Sequence, residues 1–548
     1  MTTACQIIAF GLPILPVIAS LLLFVPRVTR PMLRLAPWLP LTAVGLLALN
    51  DRVAELPWLL LGTRIGLETG MVPLFVLAII VWTVAGVHAR RSLPADRSPA
   101  FFFFWLMTWT GNLCIFITLD AASFYAAYAT LTFSAYGLIV HWFRPADFRA
   151  GRVYLVMAVA GEGMVIAALL VLGSAFGNVP LESGREFMAL LPHGQWVALL
   201  FALGFGLKMG LVPLHVWLPL AHPQAPVPAS GVLSGVIVKA GLVGWLRFLP
   251  LGHDGGELAG TVLLAGGVLT TFYGFAAGIA QVRAKSVLAY STVSQMGLIA
   301  FVIGLALQHP VHAPTLIAAA VMLALHHGLA KSALFISVDL VRTQPALARA
   351  LMWLPALAVA GAPLTSGALA KTLVKSAIPA AERGWLEPVL LAGSVATTLL
   401  MARFLAVAWP RGGENAPGPA APWIVLVAAV ATVPWAAAVM TDPEWVLHPF
   451  EPGYLISSTL PVAIGTLLGL AALRWLRRDR LPQVPEGDLI ELLPAMPGIS
   501  PVSKADRKRI DNPAVVLLDR AESGFSDLAL ALLAWLIILA LIFVPALI

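Results

Sequence analysis

Apolar runs of about 18 or more residues recur from one end of the 548-residue chain to the other, and each is long enough to cross a hydrocarbon layer roughly 30 Å thick. No other feature constrains the fold as much. Backbone polar groups inside a bilayer must find partners within the protein, so runs of this length specify transmembrane helices. The composition, 59% hydrophobic and 11% charged, excludes a soluble protein and gives an all-α polytopic membrane protein as the expected class. Cys5 and Cys114 are too few for a disulfide framework or a cysteine-bound metal, and no cofactor is expected in this chain. A net charge of +7 reflects cytoplasmic loops in such a protein, not nucleic acid.

Hydropathy places sixteen spans, at 7–25, 35–50, 71–87, 101–119, 122–140, 153–173, 196–219, 228–249, 258–280, 287–307, 313–338, 350–378, 386–409, 422–440, 455–475 and 524–548. The first lacks a cationic n-region and a small-residue cleavage site, so it reads as a retained helix and not a signal peptide. Loop charges support the alternation. Seven short loops on one side hold fourteen basic residues: Arg27, Arg30, Arg34, Arg90, Arg91, Arg97, Arg144, Arg149, Arg152, Arg283, Lys285, Arg342, Arg349 and Arg411. The other side has five, Arg52, Arg64, Arg185, Arg247 and Arg383, among a larger number of acids. By the positive-inside rule the first side is cytoplasmic and both termini face outward. Residues 477–522 form one long cytoplasmic excursion.

Six basic residues remain within the spans: Lys208, Lys239, Lys331, Lys371, Lys375 and Arg403. The chain has eight lysines, so five of the eight sit where charge is least welcome. Each costs about 2.5–3.5 kcal/mol on insertion scales, which makes an intramembrane ionisable residue a functional candidate. Lysine can lose its proton in a buried site whereas arginine cannot, so these lysines suit proton relay and Arg403 suits a fixed counter-charge. Glu162 is the one acid at mid-span, and His326 and His327 share the eleventh span. Snorkelling to the interface is the competing reading for Lys375 and Lys331, and a structural polar role for the two histidines.

The buried charges recur at a fixed interval. Lys208 to Lys371 is 163 residues, Lys239 to Arg403 and Glu162 to His326 are 164, and Asp120 to Lys285 is 165. An interval of five spans reverses orientation, so 101–250 and 258–409 are expected to be inverted five-helix repeats. They follow N-terminal helices in 1–100 and precede C-terminal helices in 422–475. Gly and Pro interrupt the seventh and twelfth spans beside their lysines, as broken helices at a transport site do.

Over roughly residues 100–410 the chain resembles the antiporter-like, proton-conducting membrane subunits shared by respiratory complex I, Mrp-type sodium/proton antiporters, membrane hydrogenases and the DAB inorganic-carbon transporter. The resemblance rests on FGLKMGLVPLHVWLPLAHPQAPVPASGVLSGVIVKAGLVGWLRF at 205–248, AQVRAKSVLAYSTVSQMG at 280–297, HHGLAKSALF at 326–335 and APLTSGALAK at 362–371. It implies that Lys208, Lys239, His327 and Lys371 form a hydrated polar axis at mid-membrane. It leaves a structural and a proton-access role both open for His215 and His222. The chain departs from the family at the fifth helix, where the position of the usual glutamate is Ala129; Glu162, one helix on, is the expected substitute.

That departure, and the length, make the chain most similar to the membrane subunit of the DAB system. The resemblance then implies a membrane-embedded transporter subunit, not itself an enzyme, in the bacterial inner membrane. It would conduct protons or another cation to drive a large soluble cytoplasmic zinc protein resembling a carbonic anhydrase. The alternative is a proton-translocating subunit of a complex I or hydrogenase-type pump, or of an Mrp-type cation/proton antiporter.

Overall fold

The computed structural model describes residues 3–177, 181–191, 193–409, 420–475, 484–486 and 489. Apolar sequence without a β pattern folds here as helix after helix. The N-terminal part comprises α1 (Thr3–Leu22), α2 (Thr29–Leu35) continuing as 3₁₀ turns to Leu49, α3 (Val72–Ser92) and α4 (Ser98–Ile117). Next come α5 (Ala121–Ile139), α6 (Pro145–Phe176), α7 (Leu181–Leu190), α8 (Gly194–Met209), α9 (Trp217–Gln224), α10 (Val227–Val232) and α11 (Lys239–Phe248). The second half has α12 (Glu257–Ile279), α13 (Ala284–Gln308), α14 (Ala313–Thr343), α15 (Pro345–Leu351), α16 (Trp353–Ala360), α17 (Ser366–Ala377) and α18 (Arg383–Ala408). Two further helices, α19 (Ala420–Thr441) and α20 (Pro452–Trp475), close the described chain.

Eleven of these helical segments are long and apolar enough to cross a membrane, against the sixteen spans expected. The shortfall has identifiable causes. Only Ile8–Leu22 of α1 has described side chains; α5 is diluted by Tyr, Thr and Ser; α8 and α16 each stop at a glycine midway; and 524–548 lies outside the described residues. Most of 477–522 lies outside them too, so its course is seen only at 484–486 and 489. A second difference is a small hairpin, β1 (Ala54–Leu56) with β2 (Thr63–Ile65), in which Glu55 pairs with Arg64 and their side chains meet at 3.3 Å. Three-residue strands are too short for alternation to announce them.

Burial sorts the helices into layers. Val227–Phe248 is buried along its whole length and α13 almost so, whereas α19 and α20 bury a third or less of theirs. Helices apolar on all sides thus form the centre, and α14 packs across them. The α12–α13 pair is drawn together by glycines: a Cβ on Gly267, Gly274 or Gly297 would come within 2.6 Å of a backbone nitrogen of the partner helix. Small residues at such a seam let the backbones approach, which is how packing proceeds where lipid removes the hydrophobic drive.

Loops assigned to one side do share a face. Residues of five of the seven short loops assigned to that side, among them Leu93, Arg144, Gln224, Lys285 and Arg342, line one cleft of about 620 Å³, together with Trp409 at the end of a span. On the opposite face His312, Pro379, Arg383 and Trp445 line another, and His309 pairs with Glu382 at 3.5 Å.

Candidate functional site

Helix breaks position the lysines. Helix α8 ends at Gly210 in the left-handed conformation (φ 76°), so the chain turns out of helix two residues after Lys208. Helix α16 ends likewise at Gly361 (φ 84°), and α17 begins after Thr365, whose side chain accepts from the Ala368 amide. Lys371 reaches back across this gap and donates to the exposed carbonyl of Ala360 at 2.8 Å. A side chain at Gly361 would meet the Lys371 ammonium 2.9 Å away, so glycine serves both the turn and the lysine. The break follows Lys208 but precedes Lys371. The two interruptions therefore match by element and not by register, and an inverted repeat is not established by them.

Lys208 is buried in a pocket of hydroxyls. Its ammonium donates to Thr132 Oγ1 at 2.7 Å and to Tyr154 Oη at 3.4 Å, and lies 5.3 and 5.6 Å from the ring centres of Tyr128 and Tyr154. Tyr154 in turn donates to the Thr132 carbonyl at 2.8 Å. Buried Glu162 acts electrostatically on Lys208, with Thr132 and Tyr125 as the hydrogen-bonding side chains at its carboxylate. Thr132 lies one turn along α5 from Ala129, so the helix contributes a hydroxyl to this site in place of a carboxylate.

A second group surrounds Lys239. A π turn over Leu233–Ile237 precedes it, in which the Val238 amide donates to Leu233 O, and Lys239 Nζ donates to Ser234 O at 2.6 Å and to His327 Nδ1 at 2.7 Å. Ser234 and Thr292 share a 2.7 Å hydroxyl contact beside it. One turn along α14 from His327, Lys331 donates to Leu288 O at 3.0 Å, wholly buried. His326 shares a hydrogen bond of 2.9 Å with Ser366 at the start of α17, and Lys371 and Lys239 both act on its ring electrostatically. The charges acting on His327 are those of Lys239, Lys331 and His326, all basic.

Seven of the nine candidate residues thus fall into two groups, Glu162 with Lys208 and Lys239 with His327, Lys331, His326 and Lys371. His215 is buried too, with its ring 4.9 Å from Tyr273 and 6.3 Å from Tyr290. Arg403 stands apart. Its guanidinium donates to the Gln281 carbonyl at 2.8 and 3.1 Å, just past the end of α12. The 163–165-residue interval therefore does not place Lys239 and Arg403 in equivalent surroundings. Lys375 is partly exposed and 3.4 Å from the Ser457 carbonyl.

Sequence reasoning missed the neutral members, Thr132, Tyr128, Tyr154, Ser234, Thr292 and Ser366, because a hydroxyl in a span carries no charge signal. It also misplaced Arg247. Counted with a loop, this side chain is wholly buried at the end of α11, donating to Phe116 O at 2.6 Å and lying 3.5 Å from Glu68. Among the described residues no three His, Cys, Asp or Glu side chains converge as metal ligands would.

The sequence pattern of the family described as NADH:quinone oxidoreductase/Mrp antiporter, TM, matches residues 118–400, just over half of the chain. Hydrogenase-4 component B of Escherichia coli is 30% identical over 244 residues, 44% of this chain and 36% of that protein. NAD(P)H-quinone oxidoreductase chain 4 of Prochlorococcus marinus is 28% identical over 264 residues, 47% of this chain and 48% of its own. The chain thus spans less than half the length of these curated relatives. Its fold is like that in the Mrp complex of Dietzia sp., with TM-score 0.68 at 22% identity over 99% of this chain and 63% of that one. It is also like a chain of an archaeal membrane-bound sulfane sulfur reductase, with TM-score 0.66 at 19% identity over 86% and 99% of the two chains. The four segments quoted above and both groups of buried charge lie inside the region that carries the family pattern, and the chain is a multi-pass membrane member of the NADH:quinone oxidoreductase/Mrp antiporter transmembrane family.

Proposed function

We propose that this chain is a proton-conducting subunit of a larger membrane assembly of the pump or cation/proton antiporter class. The observation that carries the reading is the chain of buried ionisable side chains from Glu162 and Lys208 to Lys239, His327, Lys331, His326 and Lys371, linked by hydroxyls and by carbonyls freed at helix breaks. A purely structural bundle has no use for four costly lysines buried inside its spans. The step from Lys208 to Lys239 has no direct contact and would pass through water.

The names of the relatives, a hydrogenase component and a quinone oxidoreductase chain, support a multi-subunit pump or antiporter ahead of an inorganic-carbon complex with a zinc-protein partner. The bacterial inner membrane remains the proposed location, and ion movement the proposed role, with any catalysis in partners. Two measurements test this. Purified protein in vesicles loaded with a pH-sensitive dye should pass protons under an imposed potential, and a wild type no faster than empty vesicles would overturn the reading. Gentle extraction from native membranes should retain several hydrophobic subunits; one large soluble zinc protein would return the inorganic-carbon reading to first place.

A further inference from the structure

The start of α13 breaks a local rule. The positive end of a helix dipole favours acids, yet Arg283 and Lys285 flank this start, the first turn holds no acid, and the Arg283 side chain does not cap it. An acid arrives from 200 positions further along the chain. Glu486, in the short stretch 484–486, accepts from the Ser286 hydroxyl at 2.6 Å and pairs with Arg283 at 3.1 Å. Two more bonds hold the stretch by its backbone: Gln281 donates to Val484 O at 3.1 Å and Tyr290 to Glu486 O at 3.4 Å. Leu489, three residues on, packs against the core. Arg283 is more than half exposed, and its ion pair adds little by itself. Ser286 is wholly buried, so the bond from its hydroxyl is the one that counts. Two residues beyond Ser286, the Leu288 carbonyl accepts from Lys331 at 3.0 Å and from the Thr292 hydroxyl at 2.9 Å. Thr292 meets the Ser234 hydroxyl at 2.7 Å, and the Ser234 carbonyl accepts from Lys239 at 2.6 Å. A shift at the start of α13 is therefore felt at both lysines.

We propose that Glu486 is a positioning residue. By fixing the first turn of α13 it sets the carbonyl that holds Lys331 and, through Thr292 and Ser234, the surroundings of Lys239. Its part is to hold the helix and not to pass protons, and the group it supplies is the oxygen that accepts from Ser286. This inference rests on the proton conduction proposed above.

The test uses the full-length protein in dye-loaded vesicles, with amide hydrogen exchange read on peptides covering 284–292 of α13 and 150–165 of α6. Glu486→Ala should lower proton flux by about 10- to 100-fold, the upper figure being the cost of a misplacement of about 1 Å. It should speed exchange in 284–292 and leave 150–165 unchanged. Glu486→Gln, which keeps an oxygen for Ser286, should recover most of the flux and the slow exchange. Wild-type flux in Glu486→Ala, lost flux with unaltered exchange in 284–292, faster exchange in both stretches alike, or a Glu486→Gln variant as slow as Glu486→Ala would each overturn the role of Glu486 alone. A wild type that passes no protons would overturn the conduction reading, and this role with it, even where exchange in 284–292 still responds to Glu486→Ala.

Discussion

Two lysines equally deep in the bundle, Lys208 and Lys239, are held in opposite ways. Lys208 has an acid within electrostatic reach, a threonine between them, and two tyrosine rings against its ammonium. Lys239 has a histidine, a freed carbonyl and Lys331. The first is a balanced pair in which charge can be present and compensated. The second has only basic members acting on one another, so full protonation of all of them is opposed by like charge. A balanced pair can store a proton, and a crowded basic cluster passes on whatever arrives. On the proposed conduction, the first site would gate and the second conduct.

The contrast can be broken by substitution. Lys239→Met should lower proton flux about 100-fold or more, as loss of an obligatory acid–base group does, measured in dye-loaded vesicles; flux near the wild-type value would remove the conducting role from this cluster. Glu162→Gln should cost about 30-fold. Combined with Lys208→Met it should unfold less readily than the sum of the single changes predicts, with a coupling of about 1–3 kcal/mol. Strict additivity in thermal unfolding would show that the two do not form a pair. Thr132→Val keeps shape and removes the hydroxyl, so a loss of about 1–2 kcal/mol in stability is expected, with a smaller flux defect than for Glu162→Gln. Arg403→Gln should lower stability by about 1 kcal/mol and leave flux unchanged, since its guanidinium holds the Gln281 carbonyl past the end of α12; a large flux defect there would extend the conducting group to α18.

What the sequence made legible follows from the same physics. Lysines and an acid inside apolar runs are costly, so Lys208, Lys239, Lys371 and Glu162 announce themselves. Glycine beside proline announced both breaks, though not that one falls after its lysine and the other well before. Thr132 and the tyrosines were invisible because hydroxyls are common in spans and bond their own helix, as Thr130 and Thr132 both do. Arg247 was misread because it closes an apolar run, where a loop residue and a buried one look alike. Only the partner carbonyl of Phe116, 131 positions away, separates the two cases. The crossing count suffered most where hydropathy was averaged over a helix that stops partway.

The π turn at Leu233–Ile237 has the arithmetic of an insertion. One residue more than a regular helix allows is accommodated in a single turn, so every side chain beyond it is rotated by about 100° relative to an unbroken helix. Lys239 is the first residue past that turn to meet His327. The direction in which it points is therefore written in the number of residues before it, and a relative one residue shorter here would carry the same lysine facing a different neighbour.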